Sequence, residues 1–199
     1  MKSIYNYIIS PIKRRYNNSI DVAGGEIIVN TDISNHQYIS REATVLSVPA
    51  AYNSPIKVGD DVIVHHNIFR RWYDVRGVEK NSGSFISETE YTCSDQQIFL
   101  YKRDGVWKGL SDYCFVAPVK ETEMFSDETE MERVGIIKIS NKYLEGMGLK
   151  VGDVIGFTPS SEFEFVVDGE RMYKMSARDI CLKRDDLEVE EYQPNWSKT

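Results

Sequence analysis

The chain has 199 residues, with 24 Lys and Arg against 31 Asp and Glu, a formal charge of −7, and a composition 41% hydrophobic and 28% charged. That length and balance fit one large or two small globular domains, and they exclude a collagen-like chain or wholesale disorder. No apolar run approaches a membrane span, the N-terminal stretch lacks the layout of a secretory signal, and a net acidic chain is a poor default binder of nucleic acid or anionic membrane. Cys93, Cys114 and Cys181 form no CxxC pair, which argues against a disulfide framework and for a reducing, cytoplasmic compartment.

In chain order, the first distinctive segment is Gly24-Gly25-Glu26-Ile27-Ile28-Val29, set between Tyr16-Asn17-Asn18-Ser19 and Asn30-Thr31-Asp32-Ile33-Ser34-Asn35. An apolar tripeptide in such polar surroundings reads as either a core strand or the tip of a loop that folds on a partner. The β-prone run 43–48 leads to Lys57-Val58-Gly59-Asp60, a tight turn in which Gly takes φ > 0 and Asp bonds its own backbone, and then to a Val/Ile strand. His65 and His66 follow as neighbours on a strand, so they should face opposite sides and not share a metal. Phe69-Arg70-Arg71-Trp72-Tyr73 interleaves basic and aromatic residues. It could stack single-stranded nucleic acid, contact a client protein, or form a hairpin whose arginines pair with carboxylates; the charge of −7 favours the last. Asp104-Gly105 is a hairpin signal, followed by Ser111-Asp112-Tyr113-Cys114-Phe115-Val116.

The stretch 120–132 holds six carboxylates and reads as a solvated join. Past it the landmarks recur: a β-prone run at 135–140, a short helix over 140–147, Lys150-Val151-Gly152-Asp153 and its Val/Ile strand, Asp168-Gly169, and Ser176-Ala177-Arg178-Asp179-Ile180-Cys181-Leu182. Pairing the copies on their Asp-apolar-Cys-apolar runs makes Cys114 and Cys181 equivalent. Gly59 then lies 55 positions before its cysteine and Gly152 29 before its own, a surplus of 26 placed around 67–95 in the first copy. The predicted organisation is an all-β protein of two units, 1–119 and 120–183, the first with an inserted hairpin at about 67–95, and an acidic, mobile tail over 184–199. Asp60 and Asp153 read as turn residues, and the chain contains no P-loop, GxGxxG or Ser-His-Asp pattern, so no catalysis, cofactor or metal is expected.

Two Lys-Val-Gly-Asp turns, two closing runs and one Gly-Gly-apolar loop, in this order, resemble the GroES-like co-chaperonin family over most of residues 5–183. The resemblance implies two tandem GroES-like small β-barrels and no enzyme activity. It implies a mobile loop at about 17–40 that contacts a GroEL-like chaperonin ring, in a nucleotide-dependent cycle, through Gly24, Gly25, Ile27, Ile28 and Val29. It also implies a homo-oligomeric ring that caps the chaperonin and assists protein folding. Each such apolar side chain is worth about 1.5–3 kcal/mol when buried. Ordering the loop offsets much of that, and a ring of loops recovers affinity by multivalency. The chain departs from the family at Glu26, at a short 49–56 roof, at the 67–95 surplus, and in a second unit without the loop. Those departures lean towards a phage-encoded protein acting in host cytoplasm. A non-enzymatic structural or adaptor module, such as a virion component, is the alternative, and a single-stranded nucleic-acid-binding barrel using Phe69, Arg70, Arg71, Trp72 and Tyr73 is a further one.

Overall fold

The computed structural model describes residues 2–17, 19–22, 25–28, 35–121 and 130–193, with the backbone alone at 19–22 and 25–28. It is 49% strand and 10% helical, so the expected all-β class holds. The chain divides into two compact units, Met1–Val106 and Trp107–Thr199.

The first unit contains β1 (Tyr7–Pro11), β2 (Ser19–Val22), β3 (Gly25–Ile28), β4 (Glu42–Ser47), β5 (Asp61–Val64), β6 (Arg71–Tyr73), β7 (Glu79–Asn81), β8 (Phe85–Ser87), β9 (Glu90–Cys93), β10 (Ile98–Arg103) and β11 (Val106–Gly109), in which the boundary falls. Its main sheet runs β11-β10-β5-β4-β1-β9-β8, while β2–β3 and β6–β7 are separate two-stranded sheets. The second unit has β12 (Tyr113–Lys120), β13 (Glu130–Ile139), α1 (Lys142–Gly146), β14 (Val154–Phe157), β15 (Phe163–Val167), β16 (Glu170–Ser176) and β17 (Ile180–Lys183), with sheet order β15-β16-β12-β13-β14-β17.

Read from opposite ends, β10-β5-β4-β1-β9-β8 and β17-β14-β13-β12-β16-β15 are the same arrangement. The irregularities coincide as well. On β1, the step from Ile8 to Ile9 moves the partner from Ser47 to Val45. On β12, the step from Phe115 to Val116 moves it from Ile139 to Ile137. The pairing of β10 with β5 shifts between Ile98 and Leu100, and that of β14 with β17 between Gly156 and Phe157, whose partners are Leu182 and Ile180. The duplication is therefore genuine, but its true landmarks differ from the cysteine-based pairing. Ser94 to Leu100 is the counterpart of Ser176 to Leu182. Each opens with a serine whose backbone N–H donates to a side chain three residues on, Gln97 (3.0 Å) or Asp179 (3.1 Å). Cys181 is thus equivalent to Phe99, not to Cys114; Cys181 is exposed on β17 and Cys114 is buried on β12. With Ile98 and Ile180 as references, Gly59 lies 39 positions upstream and Gly152 28, so the surplus is 11 residues, not 26. The β6–β7 hairpin, 71–81, accounts for it, because β8 and β9 belong to the repeat. The second unit likewise begins before 120, since β12 pairs with β13 and β16.

The Lys-Val-Gly-Asp turn is built identically in both units. Gly59 and Gly152 take φ of 90° and 94°. Gly59 N–H donates to Val45 O and Gly152 N–H to Ile137 O, both at 2.8 Å, and Asp60 O and Asp153 O accept from those same two residues. Asp60 Oδ2 accepts from Lys57 N–H (2.8 Å) and Asp153 Oδ2 from Lys150 N–H (2.9 Å), the turn role expected of both. The predicted helix is α1. Asn141 caps it by accepting from Leu144 N–H (2.9 Å), and Leu144 is fully buried. Alternation on β4 buries Ala43, Val45 and Ser47. In the second unit Cys114, Val116, Ile137, Ile155, Phe157 and Met175 form the core with Leu144.

Two expectations need adjustment. The pairing leaves edges at β8 and β11 in one sheet and at β15 and β17 in the other, so closed barrels are not established. The tail is docked as far as Gln193: Lys120 N–H donates to Glu190 O, Tyr192 N–H to Pro118 O, and Lys138 Nζ to Glu191 (2.7 Å). Residues 194–199, with Trp196, lie outside the described residues.

A Cβ added at Gly59 or Gly152 meets nothing within 4 Å, so any cost there is conformational. Gly59→Ala and Gly152→Ala should each cost about 1 kcal/mol. Gly135→Ala should cost more, because its Cβ would lie 2.3 Å from Val116 Cγ1 and 2.8 Å from Ala117 O. Denaturant midpoints of the three variants check this order.

Candidate binding sites

The connection from β1 to β4 carries the Gly-Gly-apolar segment. Gly25, Ile27 and Ile28 lie on β3, where Ile27 is opposite Ile20 and Ile28 opposite Ser19. Gly24 and Val29 lie outside the described residues. Among the described residues, β2 and β3 pair only with each other, so this stretch is an arm and not part of the main sheet. The equivalent connection in the second unit, from β12 to β13, is the short acidic join, mostly outside the described residues.

The root of the arm is held firmly. Tyr16 bridges to Ile39, Asn17 N–H donates to Tyr38 O (2.7 Å), and Ser40 N–H donates to Arg15 O (3.1 Å). Arg15, only 8% exposed, donates from Nε to Phe69 O (2.7 Å) and from Nη2 to Arg70 O (3.3 Å). Its guanidinium lies 5.2 Å from the Phe85 ring and 5.4 Å from Tyr91. Burial lowers its pKa, an effect countered in part by Tyr91 and Glu88. Tyr16 OH accepts from Arg71 N–H (2.7 Å), and the Arg71 guanidinium stacks 4.8 Å from the Tyr16 ring. The arm thus springs from a fixed base that also positions the start of β6.

The five basic and aromatic residues separate by role. Phe69 is fully buried against Tyr91, so it belongs to the core and presents no surface to a partner. Arg71 pairs with Glu79 (3.1 Å), as the charge argument expected. Arg70 and Tyr73 are exposed, Trp72 is half-buried, and the Arg70 guanidinium sits 5.8 Å from the Trp72 ring. Asn67, Arg70, Trp72, Ser84 and Gln97 line a cleft of about 340 Å³.

Beside this cleft the chain gathers all three of its histidines. A 3₁₀ turn begins at His66, so its ring does not oppose that of His65 as strand alternation predicts; the two stack at 4.4 Å. His36, from the 3₁₀ turn at the arm's root, lies 5.5 Å from His66. Burial, and then the cationic groups His65, Arg41, His36 and Arg70, push His66 down to about 4. The described residues contain no group of three ligands able to hold a metal. Sequence reasoning missed this cluster because only the meeting of two distant 3₁₀ turns creates it.

A second cleft, of about 490 Å³, lies in the second unit, where Glu130, Glu132 and Arg133 of β13 and Glu162 of the loop after β14 line it with Tyr173 and Phe157. Its wall is an ordered network. Arg171 donates to Glu164 Oε2 and Glu130 Oε2 (2.8 Å each) and to Tyr173 OH (2.6 Å), and Tyr173 OH donates to Glu130 Oε1 (2.5 Å). Burial first, then Glu130, raises the Tyr173 pKa and keeps this proton in place.

Comparison with protein-family models finds no match to this chain, and comparison with curated proteins finds none either. No helix among the described residues is long and apolar enough to cross a membrane.

His66 is neutral in the fold, whereas an unfolded histidine binds its proton near pH 6.5. Between about pH 6.5 and 4 the unfolded chain therefore takes up more protons, and stability should fall as pH falls through that window. For a half-exposed ring the loss should be on the order of 1–2 kcal/mol. His66→Gln should flatten the slope between pH 7 and pH 4.5 in denaturant titrations; parallel slopes would contradict it.

Proposed function

We propose that this chain is a co-chaperonin-like protein without enzyme activity, which engages a GroEL-like chaperonin ring through the β2–β3 arm. The observation that carries this reading is the arm itself: among the described residues, a hairpin holding Gly25, Ile27 and Ile28 that joins neither large sheet, its Gly-Gly-apolar sequence present in one unit of the repeated pair. Its pinned root supports the reading physically, because a fixed base lets many copies present their tips to a ring of grooves at once. Ile27 and Ile28, with Val29 and the flanking Gly24, are the contact residues of this reading, and the chaperonin supplies the nucleotide hydrolysis. A ring of copies acting in the cytoplasm, of a host cell if the chain is phage-encoded, completes it. The second unit has no Gly-Gly-apolar segment in its sequence and serves as scaffold.

The test is co-elution of the full chain with a GroEL-like chaperonin in the presence of a nucleotide. Burying two isoleucines is worth about 1.5–3 kcal/mol each, so Ile27→Asp/Ile28→Asp should weaken the complex at least tenfold with unchanged circular dichroism. A parent chain that never co-elutes would favour the adaptor or virion-module reading, and a double variant that binds as well as the parent would remove the arm from the contact.

A further inference from the structure

We propose that the cleft between the loop after β5 and the β6–β7 hairpin binds a nucleotide, with its base on Trp72 and its phosphate at Arg70 and the neighbouring histidine cluster. This site is distinct from the arm, and the inference does not depend on what the arm binds.

Three observations converge. The first is the surplus hairpin. The duplicated sheet is complete without it in the second unit, and it buries little: β7 is exposed throughout and Tyr73 is 59% exposed. Core packing therefore does not explain its presence, yet it supplies the aromatic wall of the cleft.

The second is charge. In a chain with 31 acidic residues, Arg71, Lys80 and Arg103 each face a carboxylate. Exposed Arg70 makes no ion pair among the described residues, and its guanidinium is held near the Trp72 ring. Arg70 is close enough to the buried, neutral ring of His66 to act on it, so its guanidinium lies between the Trp72 ring and the histidine cluster. A guanidinium recognises phosphate oxygens particularly well, and neutral imidazoles supply hydrogen-bond donors beside it.

The third is shape. A cleft of about 340 Å³ lies at the small end of ligand-site sizes. It combines one aromatic face with polar residues, Asn67 and Ser84, able to meet a base edge. The cleft beside β14 in the second unit is lined by three carboxylates, Glu130, Glu132 and Glu162, against the single cation Arg133, and by no tryptophan, so one site per chain follows.

Isothermal titration of the full chain at low salt tests the proposal. The probes are adenosine monophosphate, adenosine, inorganic phosphate and an octamer of deoxyadenylate. Adenosine monophosphate should bind saturably, with adenosine and phosphate each at least tenfold weaker. Arg70→Ala and Trp72→Ala should each lower its affinity about tenfold, the size expected of a base-stacking or phosphate contact. Trp72→Phe should recover part of that loss, and Arg178→Ala, exposed in the second unit, should change nothing. An octamer that binds more tightly and with a steeper salt dependence would mark the source as single-stranded nucleic acid; equal affinities would mark it as the free nucleotide. Absence of saturable binding of adenosine monophosphate, or affinity unchanged in both Arg70→Ala and Trp72→Ala, overturns the proposal.

Discussion

Each unit depends on one left-handed glycine. Gly59 and Gly152 turn the chain so that their N–H groups reach Val45 O and Ile137 O, and the following Asp carbonyls accept from the same two residues. That pair of bonds sets the register of β4 on β5 and of β13 on β14. A slip of one residue would turn every buried side chain to solvent. The matching irregularities on β1/β4 and β12/β13 show how far the constraint reaches: once the central strands are in register, their outer neighbours must step at the same point. What precedes the turn is free to vary. It is an irregular stretch in the first unit and α1 in the second, and both arrive at the same geometry.

On this common frame, novelty lies in the connections and not in the sheets. The arm occupies the β1–β4 connection and the extra hairpin the β5–β8 connection, both in the first unit. Connections run over the surface and tolerate insertion, which makes them the natural place for added contacts. The surfaces beside β5 and β14 also diverge in charge, since His65, His66 and Arg70 gather in the first unit and Glu130 and Glu132 of β13 with Glu162 in the second.

Local chemistry was legible in the sequence, and long-range pairing was only partly so. The Lys-Val-Gly-Asp turns, the Asp-Gly hairpins at 104–105 and 168–169, and the capped helix at Asn141 each rest on backbone demands that a few residue types meet. The closing strands were misaligned because Asp112 to Val116 imitates Asp179 to Leu182 in letters. The true counterpart, Ser94 to Leu100, replaces Asp179 by Gln97 and Cys181 by Phe99. What persists is the hydrogen bond from the serine N–H to a side-chain oxygen three residues on, which Asp and Gln both satisfy. The histidine cluster and the buried Arg15 were beyond reach, since they exist only where segments 30 and 54 residues apart meet.

The comparison of Arg15 with Arg171 explains why the arm's root is built as it is. Register makes Tyr91, opposite Ile9, the counterpart of Tyr173, opposite Val116, and each tyrosine ring has a guanidinium near it, at 5.4 and 4.9 Å. Arg171 donates to Glu130, Glu164 and Tyr173 OH, and that hydroxyl donates in turn to Glu130. In the first unit, Arg15 Nη1 and Tyr91 OH make no hydrogen bond among the described residues, and Glu88 stands 3.9 Å away on the exposed side. Buried polar groups left so cost about 1–3 kcal/mol each. Stability alone would favour the arrangement of the second unit. Arg15 instead spends its donors on Phe69 O and Arg70 O, which fastens the strand that leads into the arm to the loop that presents Arg70. The root of the arm and the loop that presents Arg70 thus share one buried cation.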